Sequence, residues 1–232
     1  MEKIAKPDAP LRLAASGSRV RQRQPPRPSH RALLWVLGGT LALEFVWLGW
    51  APVSRPTWLL ENLLAVGLIA GLAATYGSLR LSRLSYTMIF AFLALHEVGA
   101  HYTYSLVPYD EASRALFGVS LSDAFGFGRN HFDRVIHFAY GALFFQPIRE
   151  LLAAAQIRAV LGSLLAVSIL LSTSLIYELI EWSAASLFGG DVGMAYLGTQ
   201  GDIWDAHKDM ALAGLGAALA AGAAMLWGRR SQ

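Results

Sequence analysis

Four short motifs in this 232-residue chain gather the side chains able to do chemistry. They are His96-Glu97-x-x-x-His101, Asn130-His131-x-Asp133-Arg134-x-x-His137, Tyr177-Glu178-x-x-Glu181-Trp182 and Gly201-Asp202-x-x-Asp205-x-His207-Lys208-Asp209. Carboxylates and imidazoles exchange protons and hold divalent metals through oxygen and nitrogen. The chain has no cysteine, which excludes disulfides, thiolate nucleophiles and thiolate ligation. An oxygen and imidazole donor set without thiolates suits Zn, Mn, Fe or Mg. His96 and His101 are five residues apart, so this is not the His-Glu-x-x-His arrangement of zinc proteases, whose histidines are four apart.

Helical spacing groups these residues further. Glu97 and His101, Asp133 and His137, and Asp205 and Asp209 each lie four apart on one helix face, and Glu178 and Glu181 lie three apart. Two carboxylates on one buried face repel and need a proton, a cation or a basic partner. Glu178, Glu181, His137 and Asp133 are the candidate catalytic groups, as proton carriers or ligands. Arg134, Lys208, Asp205 and Asp209 are candidates for binding a polar substrate. His96, Glu97, His101 and His131 are candidate ligands for a divalent metal ion. Each motif also has a structural reading. Asn130 with Asp133, and Asp202 with Asp205, resemble helix N-terminal capping pairs. A lone intramembrane His or Glu can cement two helices by a hydrogen bond.

The elements that must position these groups are membrane spans. The composition is 55% hydrophobic and 15% charged, with a mean hydropathy of +0.43. A soluble domain carries about 25% charged residues, so this chain has too little polar surface for water. Apolar segments fall near 32–50, 58–78, 86–105, 132–153, 159–187 and 204–228. Each is long enough, at about 1.5 Å per residue, to cross roughly 30 Å of hydrocarbon as a helix. Strands are disfavoured because an unclosed sheet edge cannot sit in lipid. The expected fold is all-α: a polytopic transmembrane bundle of about six spans over 31–230, preceded by a disordered basic cytoplasmic tail over 1–30.

The net charge of +3 belongs to that tail, since eight of the 19 Lys and Arg lie in the first 31 residues. No basic face on a folded module suggests nucleic acid as a partner. Arginine placement sets the orientation. Arg80, Arg83, Arg149, Arg158, Arg229 and Arg230 mark one side, together with the tail, while the connection over 188–203 has no Lys or Arg. The positive-inside rule then puts both termini in the cytoplasm of a multi-pass bacterial inner-membrane protein. The long connection over 106–131 breaks the pattern with Arg114 and Arg129, and reads as an external cap with a short helix near 110–118. Glu44 and Glu61 read as interfacial, and Trp47, Trp50 and Trp58 as belt residues. Measured along the helix rise from the cytoplasmic arginines, His96 lies at roughly 20 Å, Asp133 at roughly 24 Å, and Glu178 and Asp209 at roughly 30 Å. The polar groups of four helices thus collect near the periplasmic face. Small residues of the last span, among them Ala213, Gly214, Gly216 and Ala217, let helices approach closely.

The segments HEVGAHYTY, FGFGRNHFDRVIHFAYG, YELIEW and GTQGDIWDAHKDM occur in this order and resemble the YjdF-type bacterial inner-membrane family, a domain of unknown function. A more distant likeness is to VanZ-like membrane proteins. Asp133-Arg134-x-x-His137-Phe138 is similar to their Asp-Lys-x-x-His-Phe element, Glu178 and Glu181 to their glutamate motif, and Asp205-x-x-x-Asp209 to their Asp-x-x-x-Asn element, with Asp in place of Asn. These resemblances imply a cell-envelope setting and a shared helical core, and no particular reaction.

Three functional readings follow. The first is a membrane enzyme, metal- or acid/base-dependent, acting on a lipid-linked envelope substrate among membrane lipids. The second is a non-catalytic module that binds a lipid head group or modulates an envelope partner. The third is a proton-coupled transporter, disfavoured because the cytoplasmic half lacks a matching polar path. The sequence carries no signal for an oligomeric state.

Overall fold

The computed structural model describes residues 30–230. Apart from His30, the basic tail expected over 1–30 lies outside the described residues. Among those residues there are nine helices and no strand: α1 (Arg31–Gly49), α2 (Arg55–Thr75), α3 (Arg83–His101), α4 (Tyr109–Phe117), α5 (Leu121–Phe125), α6 (Phe132–Ala154), α7 (Ala159–Phe188), α8 (Gly190–Leu197) and α9 (Asp205–Arg230).

Helix boundaries follow local chemistry. Ser54 and Ser82 accept the backbone N–H groups of Thr57 and Ser85, capping α2 and α3. Pro56 sits in the first turn of α2, where no amide hydrogen is needed. Gly118, Gly126 and Gly198 close α4, α5 and α8 in the left-handed conformation.

Four helices, α1, α2, α7 and α9, are long and apolar enough to cross a membrane unaided. The helices α3 and α6 have comparable length, 19 and 23 residues, but carry His96 and Glu97, or Asp133, Arg134 and His137. They are shielded by their neighbours: α6 packs on α3, α7 and α9, and α3 on α1, α2 and α6. The outer surface is apolar, with Trp35, Leu43, Leu63, Val160 and Leu219 all exposed. An all-helical bundle of about six long elements is thus what the sequence pattern specifies.

The tightest contact joins α6 to α9. A Cβ on Gly141 would strike the carbonyl oxygen of Ala213, and one on Gly216 would strike that of Phe138. Ala213 and Ala217 are completely buried beside them. Close backbone approach through small residues is the usual way for helices to adhere where no hydrophobic drive separates lipid from protein. Continuous with this seam, Phe145, Ala166, Leu170, Ala217 and Ala221 form a buried apolar cluster.

The two ends of the bundle differ. At one end α4, α5 and α8 form a cap. The expected short cap helix is α4; α5 follows it, and Asp110 ties the two by accepting Ser120 Oγ at 2.9 Å and Ser122 N at 2.8 Å. The connection over 188–203 folds as α8 and packs on α7 and α2. The opposite end is basic, carrying Arg80, Arg83, Arg149 and Arg158. There Ser82 N donates to Glu150 Oε2 at 2.8 Å.

Two expectations are corrected. Trp58 is 7% exposed, not a belt residue; its ring packs on Phe45 at 4.9 Å between centroids. Trp47 and Trp50 are exposed as expected. Glu61 is not interfacial but 4% exposed, in the interior of the bundle.

Candidate functional site

At the cap end the start of α6 is clamped to the segment before α9. Arg129 donates to Asp205 Oδ1, to Thr199 O at 2.9 Å and to Gly198 O at 3.3 Å. Arg134 pairs with Asp202 and reaches Asp205 Oδ1 at 3.4 Å. Lys208 Nζ completes the network on Asp202 Oδ2 at 2.6 Å. Asn130 and Gln200 exchange two further bonds, of 2.9 and 3.0 Å. The Lys208 ammonium, the Trp204 N–H and Arg134 together hold the Asp202 carboxyl far below the usual carboxylate range. Burial, then Arg134 and Arg129, push the His131 imidazole down, which keeps it an acceptor for Arg134 Nη1 at 3.0 Å.

The expected capping pairs behave differently from the expectation. Asn130 Oδ1 does accept Phe132 N at 2.9 Å, and Asp202 Oδ1 accepts Trp204 N at 3.0 Å. Their partners Asp133 and Asp205 turn elsewhere: Asp133 to His137 and Asp205 to Arg129.

One turn deeper the polar groups face a cavity of about 350 Å³ between α2, α3, α6 and α7. Its head carries Glu61, His96, Tyr104, Asp133, His137 and Tyr177, and its floor Leu68, Leu93 and Phe144. His137 Nε2 lies 3.5 Å from Asp133 Oδ1 and 3.5 Å from Glu178 Oε1. Tyr177 donates to Glu61 Oε2 at 3.1 Å. Tyr104 and His96 are bonded at 2.5 Å between Oη and Nδ1. Helices α2 and α7 meet through the Tyr177–Glu61 bond rather than through packed faces. The rim there is apolar and open, with Leu64, Ile176 and Ile180 lining the cavity yet 47%, 53% and 37% exposed.

Among the described residues, Asp133, His137 and Asp209 bring ligand atoms within 4.8 Å of one another. Asp209, read from sequence as a substrate-binding group, is thus a neighbour of the two acid/base candidates. Glu178 joins through His137, and Glu181 is buried one turn further along α7. The four expected metal ligands are distributed instead. His96 sits on the cavity wall beside Tyr104. His101 Nδ1 is bonded to Leu48 O at 2.7 Å, joining the end of α3 to that of α1. Glu97 is buried with Oε2 unbonded, and His131 stands in the clamp with Arg134. Arg134, Lys208 and Asp205, expected at a substrate, bond to one another's side of that clamp.

Sequence reasoning missed Glu61, Tyr104, Tyr177 as a hydrogen-bond donor, and Arg129. Tyr177 stood in one of the four motifs, and Arg129 left a signal as an arginine out of place on the side with few positive charges.

Residues 33–230 match the family described as "Predicted membrane protein (DUF2238)". The chain is 34% identical over 180 residues to "Inner membrane protein YjdF" of Escherichia coli (strain K12), covering 77% of this chain and 82% of that protein. No solved structure matches.

Proposed function

The chain belongs to the predicted membrane protein family DUF2238 and is an integral inner-membrane protein, and from that premise we propose that it takes a lipid-linked envelope molecule from the bilayer and processes its polar head at the Asp133–His137–Glu178 cluster. The observation that carries this reading is the form of the cavity. It is polar at its head, apolar at its floor, and open between α2 and α7 past Leu64 and Ile176. An amphiphile in the bilayer meets this opening sideways, chain against Leu68 and Phe144, head against His137. The volume of about 350 Å³ falls within the range of about 300–1,000 Å³ common for small-molecule sites.

The chemistry is proton transfer. The buried carboxylates and imidazole of the cluster supply the groups that move a proton from a hydroxyl or water of the bound head. Buried groups of this kind in a membrane bundle are expensive and mark function by default. In the proposed topology both termini are cytoplasmic and the cap end is periplasmic, following the arginines. Transport is the weaker reading, since below the cavity Phe145 and Leu170 are almost fully buried and offer no proton relay.

The test is lipid analysis of protein purified in mild detergent, joined to lipid profiles of a deletion strain. The expected result is an amphiphile that co-purifies with the wild type and is lost from Leu64→Trp and Ile176→Trp, and a lipid species that accumulates on deletion and is cleared by the wild type but not by His137→Gln. Unchanged lipid profiles together with no co-purifying amphiphile would overturn the reading.

A further inference from the structure

We propose that Asp133, His137 and Asp209, with Glu178 beside them, bind one divalent transition-metal cation of the Mn, Fe or Zn class. The first observation is convergence: three ligand atoms from α6 and α9 lie within 4.8 Å of one another. Those two helices are fixed at backbone contact by Gly141 and Gly216, so the donors stand on a rigid pair.

The second observation is spacing. His137 Nε2 lies 3.5 Å from Asp133 Oδ1. That exceeds the usual N–H···O separation of about 2.7–3.2 Å. It matches the edge of about 3.3–3.5 Å between neighbouring donors on a tetrahedral ion with bonds of about 2.0–2.1 Å.

The third observation is unmet bonding. Asp209 is 2% exposed and its Oδ1 has no hydrogen-bond partner; Glu178, 9% exposed, has Oε1 in the same condition. Buried polar atoms in native proteins are normally bonded, and leaving one unbonded is costly. The nearest strong cations are committed elsewhere. Arg129 bonds to Asp205 and to the carbonyls of Gly198 and Thr199, and Arg134 to Asp202 and Asp205. A divalent ion held by Asp133, His137 and Asp209 would satisfy the orphaned Asp209 oxygen and offset the mutual repulsion of the buried carboxylates around it.

The donor chemistry selects the class. Two carboxylates with one imidazole suit Mn, Fe or Zn, whereas Mg favours all-oxygen shells rich in water and Cu(I) favours sulfur. Asp133 and His137 also line the cavity, so the ion would present one side to whatever occupies it. That last clause rests on the proposed function; the binding site itself does not, and its test reads metal alone.

The experiment is elemental analysis of the full chain purified in mild detergent, followed by chelation and titration with Mn²⁺, Fe²⁺ or Zn²⁺ while thermal unfolding is monitored. The expected result is about one equivalent of metal per chain, a rise in Tm on re-addition, and at least a tenfold weaker affinity in the near-isosteric Asp209→Asn and in His137→Gln. His101→Gln, away from the cluster, should keep wild-type affinity. Less than a tenth of an equivalent in the purified wild type, with no Tm response of the chelated wild type to any of the three ions, overturns the proposal even if the variants fail to fold. Equal affinity of Asp209→Asn and wild type overturns it as well.

Discussion

Tyr177 on α7 donates its phenolic hydrogen to Glu61 on α2 at 3.1 Å, across 116 positions of sequence. Glu61 is 4% exposed, so this bond supplies a partner that water does not. It also spans the side of the cavity where the two helices are otherwise unpacked. Removing it leaves a buried acceptor without its donor, which costs about 1–3 kcal/mol. Tyr177→Phe should therefore lower the Tm in detergent by several degrees, while Glu61→Gln, which keeps an acceptor oxygen, should lower it less. Fluorescence-detected unfolding of the two variants makes the comparison, and equal losses would remove the bond from the account of stability.

The α6–α9 seam makes a second prediction. Adding a side chain in a helix interior usually stabilises, because Gly costs roughly 0.5–1 kcal/mol relative to Ala. At Gly141 and Gly216 the sign reverses, since each new Cβ meets a backbone carbonyl that no rotamer change can move. Overpacking costs about 1–3 kcal/mol or more, so Gly141→Val and Gly216→Val should cut the yield of monodisperse protein severely. Gly222→Ala, where nothing lies within 4 Å, should be neutral or mildly stabilising. Size-exclusion profiles of the three variants decide this.

Much of this architecture was legible in the sequence, and the reasons for the rest are specific. The helix pattern was legible because apolar runs near 20 residues and serine or glycine caps are local signals. The face shared by Asp133 and His137 was legible because a separation of four residues aligns them. The proposed metal set was not. Five residues turn a helix by about 140°, so His96 and His101 could not point the same way, and His101 went to Leu48 O instead. Glu61 looked interfacial because it lies two turns from its helix start, and only its tertiary partner at position 177 reveals that the helix end is covered. Asp205 and Asp209 share a face, yet Arg129 captures the first and leaves the second to face His137, a choice made by the 129–205 pairing across 76 positions.

The clamp should be sensitive to acid. Asp202 is held below the usual carboxylate range by Lys208, Trp204 N–H and Arg134. A carboxyl depressed in the folded state adds stability above its unfolded value of about 3.9, and that contribution fades as pH falls below about 4. Wild-type protein should therefore exceed Asp202→Asn in Tm by a constant margin from pH 5 to 8, and the margin should shrink toward pH 3. Arg129→Gln should be worse than either at neutral pH. Its side chain and that of Asp205 are 10% and 6% exposed, and stripping the partner from a buried carboxylate costs about 3–5 kcal/mol. The shared Arg134 contact at 3.4 Å should hold the loss to the lower end of that range. Thermal unfolding across a pH series tests both statements.

The absence of cysteine makes the proposed topology directly measurable. A single cysteine introduced anywhere is the one thiol in the chain, so labelling reports that position alone. Asp123 on α5 has a side chain 77% exposed and only a solvent-exposed ion pair with Arg114, a contact worth little. Ala155, between α6 and α7 at the basic end, is exposed as well. With Arg80, Arg83, Arg149 and Arg158 retained in the cytoplasm by the positive-inside rule, a membrane-impermeant maleimide added to spheroplasts should label Asp123→Cys and leave Ala155→Cys unmodified until the membrane is opened. The reverse pattern would put the cavity head on the cytoplasmic side and assign its amphiphile to the inner leaflet. Equal labelling of both positions in sealed spheroplasts would mean that the arginine asymmetry does not govern insertion of this chain.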